Sequence, residues 1–280
     1  MGHEQQTSYS FPDHPETWER KGIRSLGRFI TELELIDETG QHIRWNARRH
    51  RKGLGPLTNE TVAEVETLTQ RLNRPIAVRF IIGASLFFIA AVLGLLNIGS
   101  AFLQNTIYFT GSIFFTLAGY LQYVQSINNS EDIHLRSELR RWRWLAWQPG
   151  RMDFWVVSSQ LVGTVAFNFN TFDAFLSQTP SGELLGVGIP DVFGSILFMV
   201  SGTLGVIEFN HRLILWPSRS LQSWITMINF WGCVLFMISA VITPVTFLDP
   251  SDWSEASSVG TTAAGALAFL TSSVMMLYEK

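Results

Sequence analysis

Cysteine is almost missing from this chain: Cys233 is the only one, and it sits inside an apolar run. An intrachain disulfide and a cysteine-based metal cluster are therefore excluded. Charge is also scarce, at 15% of residues, where a soluble domain carries about 25%. The first 20 residues, MGHEQQTSYSFPDHPETWER, contain no apolar core of a secretion signal, so no cleavable leader is expected. MGHEQQ also lacks the Ser or Thr that a myristoylation signal carries at its sixth position. Enzyme templates are absent as well: there is no H-E-x-x-H, no phosphate-binding G-x-x-x-x-G-K and no G-x-S-x-G. His134 and His211 lie in or beside loops, so no histidine is placed inside an apolar run to ligate haem. No enzymatic activity, cofactor or metal is expected.

What is present is apolar length. Hydrophobic residues make up 47% of the chain. Six runs come close to the roughly 20 residues that cross a hydrocarbon core of about 30 Å: 78–98, 103–126, 154–176, 190–209, 223–245 and 258–278. The expected fold is an all-α integral membrane protein of six transmembrane helices, residues 78–280, preceded by a cytoplasmic segment, residues 1–77.

The basic residues orient it. Of the 20 Lys and Arg, 12 fall between Arg20 and Arg79, and five between the second and third runs (Arg136, Arg140, Arg141, Arg143, Arg151). Arg212 and Arg219 separate the fourth and fifth runs, and Lys280 ends the chain. The opposite connections hold Glu183, Asp249, Asp252 and Glu255 but no Lys or Arg. The positive-inside rule then makes both termini cytoplasmic in a multi-pass protein of the cell membrane. Arg140, Arg141, Trp142, Arg143, Trp144 and Trp147 alternate cations with indoles just before the third run. That composition suits a headgroup-level segment in contact with membrane lipids, anionic ones included, and it is read as interfacial rather than as binding nucleic acid.

In the amino-terminal segment, FITELELID alternates apolar and polar residues, Glu38-Thr-Gly40 signals a turn, and QHIRWNARRHRK is read as the returning strand. Thr58 is expected to cap a helix bearing Val62, Val65, Leu68 and Leu72, with Arg74-Pro75 breaking it before the membrane.

Self-similarity is the most informative feature. Each run holds a glycine with Phe four residues on: Gly83/Phe87, Gly111/Phe115, Gly163/Phe167, Gly194/Phe198, Gly232/Phe236 and Gly265/Phe269. Mostly small residues follow at offsets seven and eight, such as Ala118-Gly119, Ser201-Gly202 and Ser272-Ser273. Offsets 0, 4, 7 and 8 share one helical face, and small residues allow helices to approach in lipid. Three hairpins, 78–126, 154–209 and 223–278, are expected to pack through this strip about a pseudo-threefold axis.

The pairs around Gly83 and Gly111 resemble the YrhK-like membrane domain, a bacterial family of helical hairpins. WQPGRMDFWVVSSQLVGTVAFNFNT and SWITMINFWGCVLFMISAVIT are similar to actinobacterial multi-pass proteins that carry it. The resemblance implies an inner-membrane protein and supplies no catalytic residues.

Polar residues inside the runs are few. Gln160, Thr164, Asn168 and Thr171 share one face of the third run, Asn170 and Asp173 lie near its end, and Asn229 is the counterpart of Gln160 in the fifth. They form either a polar site or interhelical hydrogen bonds that fix packing. Glu208 is expected to pair with Arg212 one turn on, with Gln125 and Glu279 in equivalent places. The function expected is a non-enzymatic membrane protein of accessory, scaffolding or sensing type. The alternative is a small-solute transporter or channel using the polar face. Its partners would be lipids and a second copy of the chain or another protein.

Overall fold

The computed structural model describes residue 12 and residues 14–58, 67–129, 142–176, 179–213, 216–248 and 251–279. The amino-terminal segment forms an antiparallel sheet of strands β1 (Glu19–Leu26), β2 (Phe29–Ile36), β3 (His42–Asn46) and β4 (Leu57–Thr58), in that order. Asp37 makes the tight β2–β3 turn: its carboxylate accepts from the Thr39 and Gln41 amides at 2.8 and 2.9 Å, and Gly40 takes φ +82°. Ile30, Leu33, Leu35, Ile43, Trp45 and Ala47 give the sheet a small core of its own.

The returning strand is shorter than its sequence suggested. Asn46 adopts an extended cap conformation and accepts from the amides of Arg48 and Arg49 at 3.0 and 3.3 Å, which turns the chain into helix α1 (Ala47–Arg51). Thr58 belongs to β4, and most of the helix it was expected to cap lies outside the described residues. Val62 and Val65 lie outside the described residues, and Leu72 ends a 3₁₀ turn, Gln70–Leu72. Arg74-Pro75 does not break the chain before the membrane. It lies in the first turn of α2 (Asn73–Leu95), where the missing Pro N–H would have no helical partner.

Beyond α2 come α3 (Ala101–Asn128), α4 (Met152–Asp173), the short α5 (Pro180–Glu183), α6 (Ile189–Asn210), α7 (Leu221–Leu248) and α8 (Asp252–Met276). A π-turn over Leu184–Gly188 joins α5 to α6. Four stretches are long and apolar enough to cross a membrane: Gln70–Leu95, Ser181–Asn210, Leu221–Leu248 and Asp252–Met276. The 28-residue α3 and 22-residue α4 also have the length, but they carry more polar groups. Several of these groups meet each other: Asn168 donates to Thr116 Oγ1 at 2.9 Å, and the Ser112 and Thr171 hydroxyls are 3.0 Å apart.

The six long helices form a closed ring. Each packs on its neighbours in the series α2, α3, α4, α6, α7, α8, and α8 packs back on α2. Glycines set the close approaches. A Cβ on Gly83 would lie 3.1 Å from the Gly111 carbonyl oxygen, one on Gly163 would lie 3.1 Å from that of Gly194, and one on Gly265 would lie 3.2 Å from that of Gly232. In each pair a Phe ring from one helix fills the space over the other helix's glycine. Phe87 lies over Gly111, Phe198 over Gly163 and Phe269 over Gly232, all within 3 Å of where a Cβ would stand.

Candidate functional site

These six Phe side chains converge on the axis of the ring. Phe87–Phe115, Phe167–Phe198 and Phe236–Phe269 pair with ring centroids 5.3, 5.0 and 5.2 Å apart. Phe236 then meets Phe87 and Phe167 at 6.0 and 5.8 Å, while Phe269 meets Phe115 and Phe198 at 6.2 and 5.8 Å. The result is two stacked tiers, one ring from each helix, and all six residues are at most 5–6% exposed. Five of these seven contacts are edge-on, a geometry aromatic pairs prefer, and the two of Phe236 with Phe87 and Phe269 are tilted.

The plug separates two cavities. The sheet-side cavity, about 70 Å³, has Phe115, Phe198 and Phe269 as its floor, Gln122, Gln160, Thr226, Asn229 and Ser273 on its walls, and Arg48, Arg51 and Lys52 at its mouth. The far cavity, about 260 Å³, rests on Phe87, Phe167 and Phe236 and is lined by Asn105, Tyr108, Asn170, Asp191, Thr243 and Glu255 among others. No residue lines both.

Helix α1 lies at the mouth of the sheet-side cavity, and the ends of three ring helices hold it there. Glu208, at the end of α6, is fully buried and pairs with Arg51 at 2.9 Å. Glu279, just after α8, pairs with Arg48 at 2.7 Å and with Lys52. Gln125, near the end of α3, donates to the Thr69 carbonyl at 2.7 Å, to Asn73 Oδ1 at 2.9 Å and to the Lys52 carbonyl at 3.3 Å. Nearby, Asp153 is engaged by Arg151, whose Nε lies 3.0 Å away. Burial drives the Lys52 ammonium down to about 8, with Arg48 adding repulsion that Glu279 only partly offsets. For Glu279 burial pulls upward, but Arg48 and Lys52 outweigh it and hold the carboxyl below its ordinary range.

A second latch ties the sheet to α6. His211 caps that helix in the left-handed conformation, φ 57°. Its Nδ1 lies 2.8 Å from Thr31 Oγ1, and its Nε2 contacts buried Glu32, which Arg44 also binds, at 2.5 Å. Burial lowers the His211 pKa against the pull of Glu32.

The polar residues singled out from sequence divide. Gln160 and Asn229 meet in the sheet-side cavity. Asn170 lines the far cavity and donates to the Val187 carbonyl at 2.9 Å. Asn168 faces Thr116 on α3, and Thr164 returns its hydroxyl to the Leu161 carbonyl at 2.7 Å, so both serve packing. Asp173 lines neither cavity. Glu208 pairs with Arg51 and not with Arg212, which corrects the expected in-helix pair.

In the Arg/Trp run, Arg140 and Arg141 lie outside the described residues. Trp142 packs against α3 and α4, and Arg143 donates to the Ile127 carbonyl at 3.0 Å. Trp144 and Trp147 project outward, 65% and 72% exposed. Arg48, Arg51 and Lys52 were legible only among the 12 basic residues from Arg20 to Arg79, and nothing in their spacing pointed them into the bundle. No family model, no curated protein and no solved structure matches this chain.

Proposed function

We propose that the protein is a six-span, non-enzymatic protein of the cell membrane whose helix ring holds a gated pathway for small solutes, described here in its closed state. One observation carries this reading: two cavities, each with several polar side chains set in a mostly apolar lining, end on opposite faces of the same six-phenylalanine plug. A bundle built only for packing has no reason to leave polar space on both sides of its core, because polar lining costs stability unless water or a ligand satisfies it. Apolar constrictions of this kind gate by dewetting.

The span count rests on ring closure. In the proposed topology α3 and α4 cross with the four apolar helices and turn several of their polar groups towards each other, as interhelical hydrogen bonds in lipid require. The glycine contacts within α2–α3, α4–α6 and α7–α8 support three copies of one hairpin, in keeping with the resemblance to the YrhK-like domain. In this reading the positive-inside rule puts the sheet and both termini in the cytoplasm, and the exposed Trp144, Trp147 and Trp216 suit the inner headgroup level. An accessory or sensing role remains the second reading, favoured by the way the sheet unit is latched over one cavity.

Flux from proteoliposomes tests the pathway. Phe269 touches Phe115, Phe198 and Phe236, so Phe269→Ala opens the plug at one of its two best-connected rings. We expect at least a tenfold rise in efflux of small ions over wild type. Equal tightness of wild-type and variant vesicles, with both proteins folded, overturns the reading.

A further inference from the structure

The charge count around the sheet-side cavity does not balance. Among the described residues, Arg48, Arg51 and Lys52 line the cavity as buried cations and face two carboxylates, Glu208 and Glu279, whose side chains are at most 3% exposed. One positive charge is left over in a space walled by protein, where an uncompensated charge is strongly disfavoured. Independently, Gln122 lines the same cavity at 7% exposure, and its Oε1 has no hydrogen-bond partner among the described residues. A carboxamide can turn either its oxygen or its NH₂ to a ligand, and Gln160 and Asn229 bring two more carboxamides to the cavity.

We propose that the sheet-side cavity is a binding site for one small, singly charged inorganic anion, held by Arg48, Arg51 and Lys52 from α1 and by the amide groups of Gln122, Gln160 and Asn229 from the ring. One bound negative charge neutralises the excess. The volume, about 70 Å³, equals the space of about five waters, which admits a halide or nitrate and excludes nucleotides and organic phosphates. The phenyl floor gives no competing hydration and suits anions that shed water readily. The site supplies the solute class for the pathway above and rests on that reading only for transport. Occupancy is a separate property. Because the cations come from the amino-terminal segment, the anion would also tie that segment to the ring.

Purified full-length protein in detergent is melted in sodium gluconate, and chloride or nitrate then replaces gluconate at constant ionic strength. The expected result is a saturable rise of several degrees in melting temperature for chloride and nitrate. In Gln122→Leu the apparent affinity falls at least tenfold. That variant removes a side-chain oxygen with no hydrogen-bond partner among the described residues, so its fold in gluconate is retained, whereas Lys52→Gln also weakens the Glu279 contact and serves as the second variant. A melting temperature indifferent to anion identity, or saturation unchanged in Gln122→Leu, overturns the site. Chloride flux without saturable binding overturns the site and leaves the pathway standing. Saturable binding in a protein that stays tight after Phe269→Ala supports the site and overturns the pathway.

Discussion

The same substitution, glycine to alanine, should change sign between two positions on one helix. At Gly265 in α8 an added Cβ would stand 2.5 Å from Phe236 Cδ2, 2.9 Å from its Cε2 and 3.2 Å from the Gly232 carbonyl oxygen. The ring cannot swing aside cheaply, since Phe236 is held among Phe87, Phe167 and Phe269 at 6.0, 5.8 and 5.2 Å. The backbone oxygen moves only if α7 does. Overpacking of this kind costs about 1–3 kcal/mol. At Gly260, five residues earlier in α8, nothing lies within 4 Å of the new methyl group, and replacing a helical glycine gains up to about 1 kcal/mol. The two variants should therefore differ by roughly 2–4 kcal/mol. At roughly 2–4 °C per kcal/mol for a chain of this size, Gly265→Ala should melt several degrees below wild type and Gly260→Ala slightly above it. Fluorescence-detected size exclusion after heating in detergent reads both. Gly265→Ala melting at or above Gly260→Ala would refute the claim that the α7–α8 crossing depends on a bare glycine.

Other outcomes follow from the latch. Arg51→Met leaves Glu208 buried without its partner and should cost about 3–5 kcal/mol, while Arg51→Met with Glu208→Gln should recover part of that loss in a double-mutant cycle of melting temperatures. Lys52 faces Arg48 and Arg51 on its own segment and Glu279 beyond α8, with its folded-state pKa depressed to about 8 against an ordinary 10.5. Between those values the unfolded chain binds the extra proton, so stability should rise with pH through that window, by at most about 1.4 kcal/mol per unit. Melting curves in anion-free buffer should show the rise, and Lys52→Gln should flatten it. Asn168→Leu removes a single contact to Thr116, worth about 0.6 kcal/mol in a membrane bundle. It should leave proteoliposome flux unchanged, which a flux assay against Gln160→Leu would check.

How far the fold could be read depended on the range of the forces involved. The six long helices stand close to where apolar length put them, because that signal is carried by the helix itself. The glycine-to-Phe spacing identified the packing face of every long helix for the same reason: offsets of four, seven and eight residues lie on one side of any α-helix. The switch from β3 to α1 at Asn46 was missed. QHIRWNARRHRK holds both an alternating and a helical pattern, and a single side chain capping two amides decides between them. The break assigned to Arg74-Pro75 failed because a proline three residues into a helix offends no hydrogen bond.

The candidate site was legible only in fragments, and the reason is geometric. Gln160 and Asn229 were recognised as counterparts, but a single helix cannot say whether its polar face meets a neighbour or an empty axis. Asn168 lies two turns along the same face as Gln160 and does the former, while Gln160 does the latter. The phenylalanines were read as knobs against neighbouring glycines, and they are, yet the same rings also meet across the axis. That second role follows only from closure of α8 onto α2, a contact between the two ends of the bundle. The cations of α1 show the same limit. As a basic run ahead of the first long helix they fit a positive-inside signal equally well. What distinguishes a buried latch from a solvated topology marker is the pairing of Glu208 and Glu279 with Arg51, Arg48 and Lys52, across 157 to 231 residues of chain. Gln125, Glu208 and Glu279 each stand 14 residues beyond their glycine, and all three reach the segment from Arg48 to Lys52. The amino-terminal segment needed only one helical turn of donors to meet them.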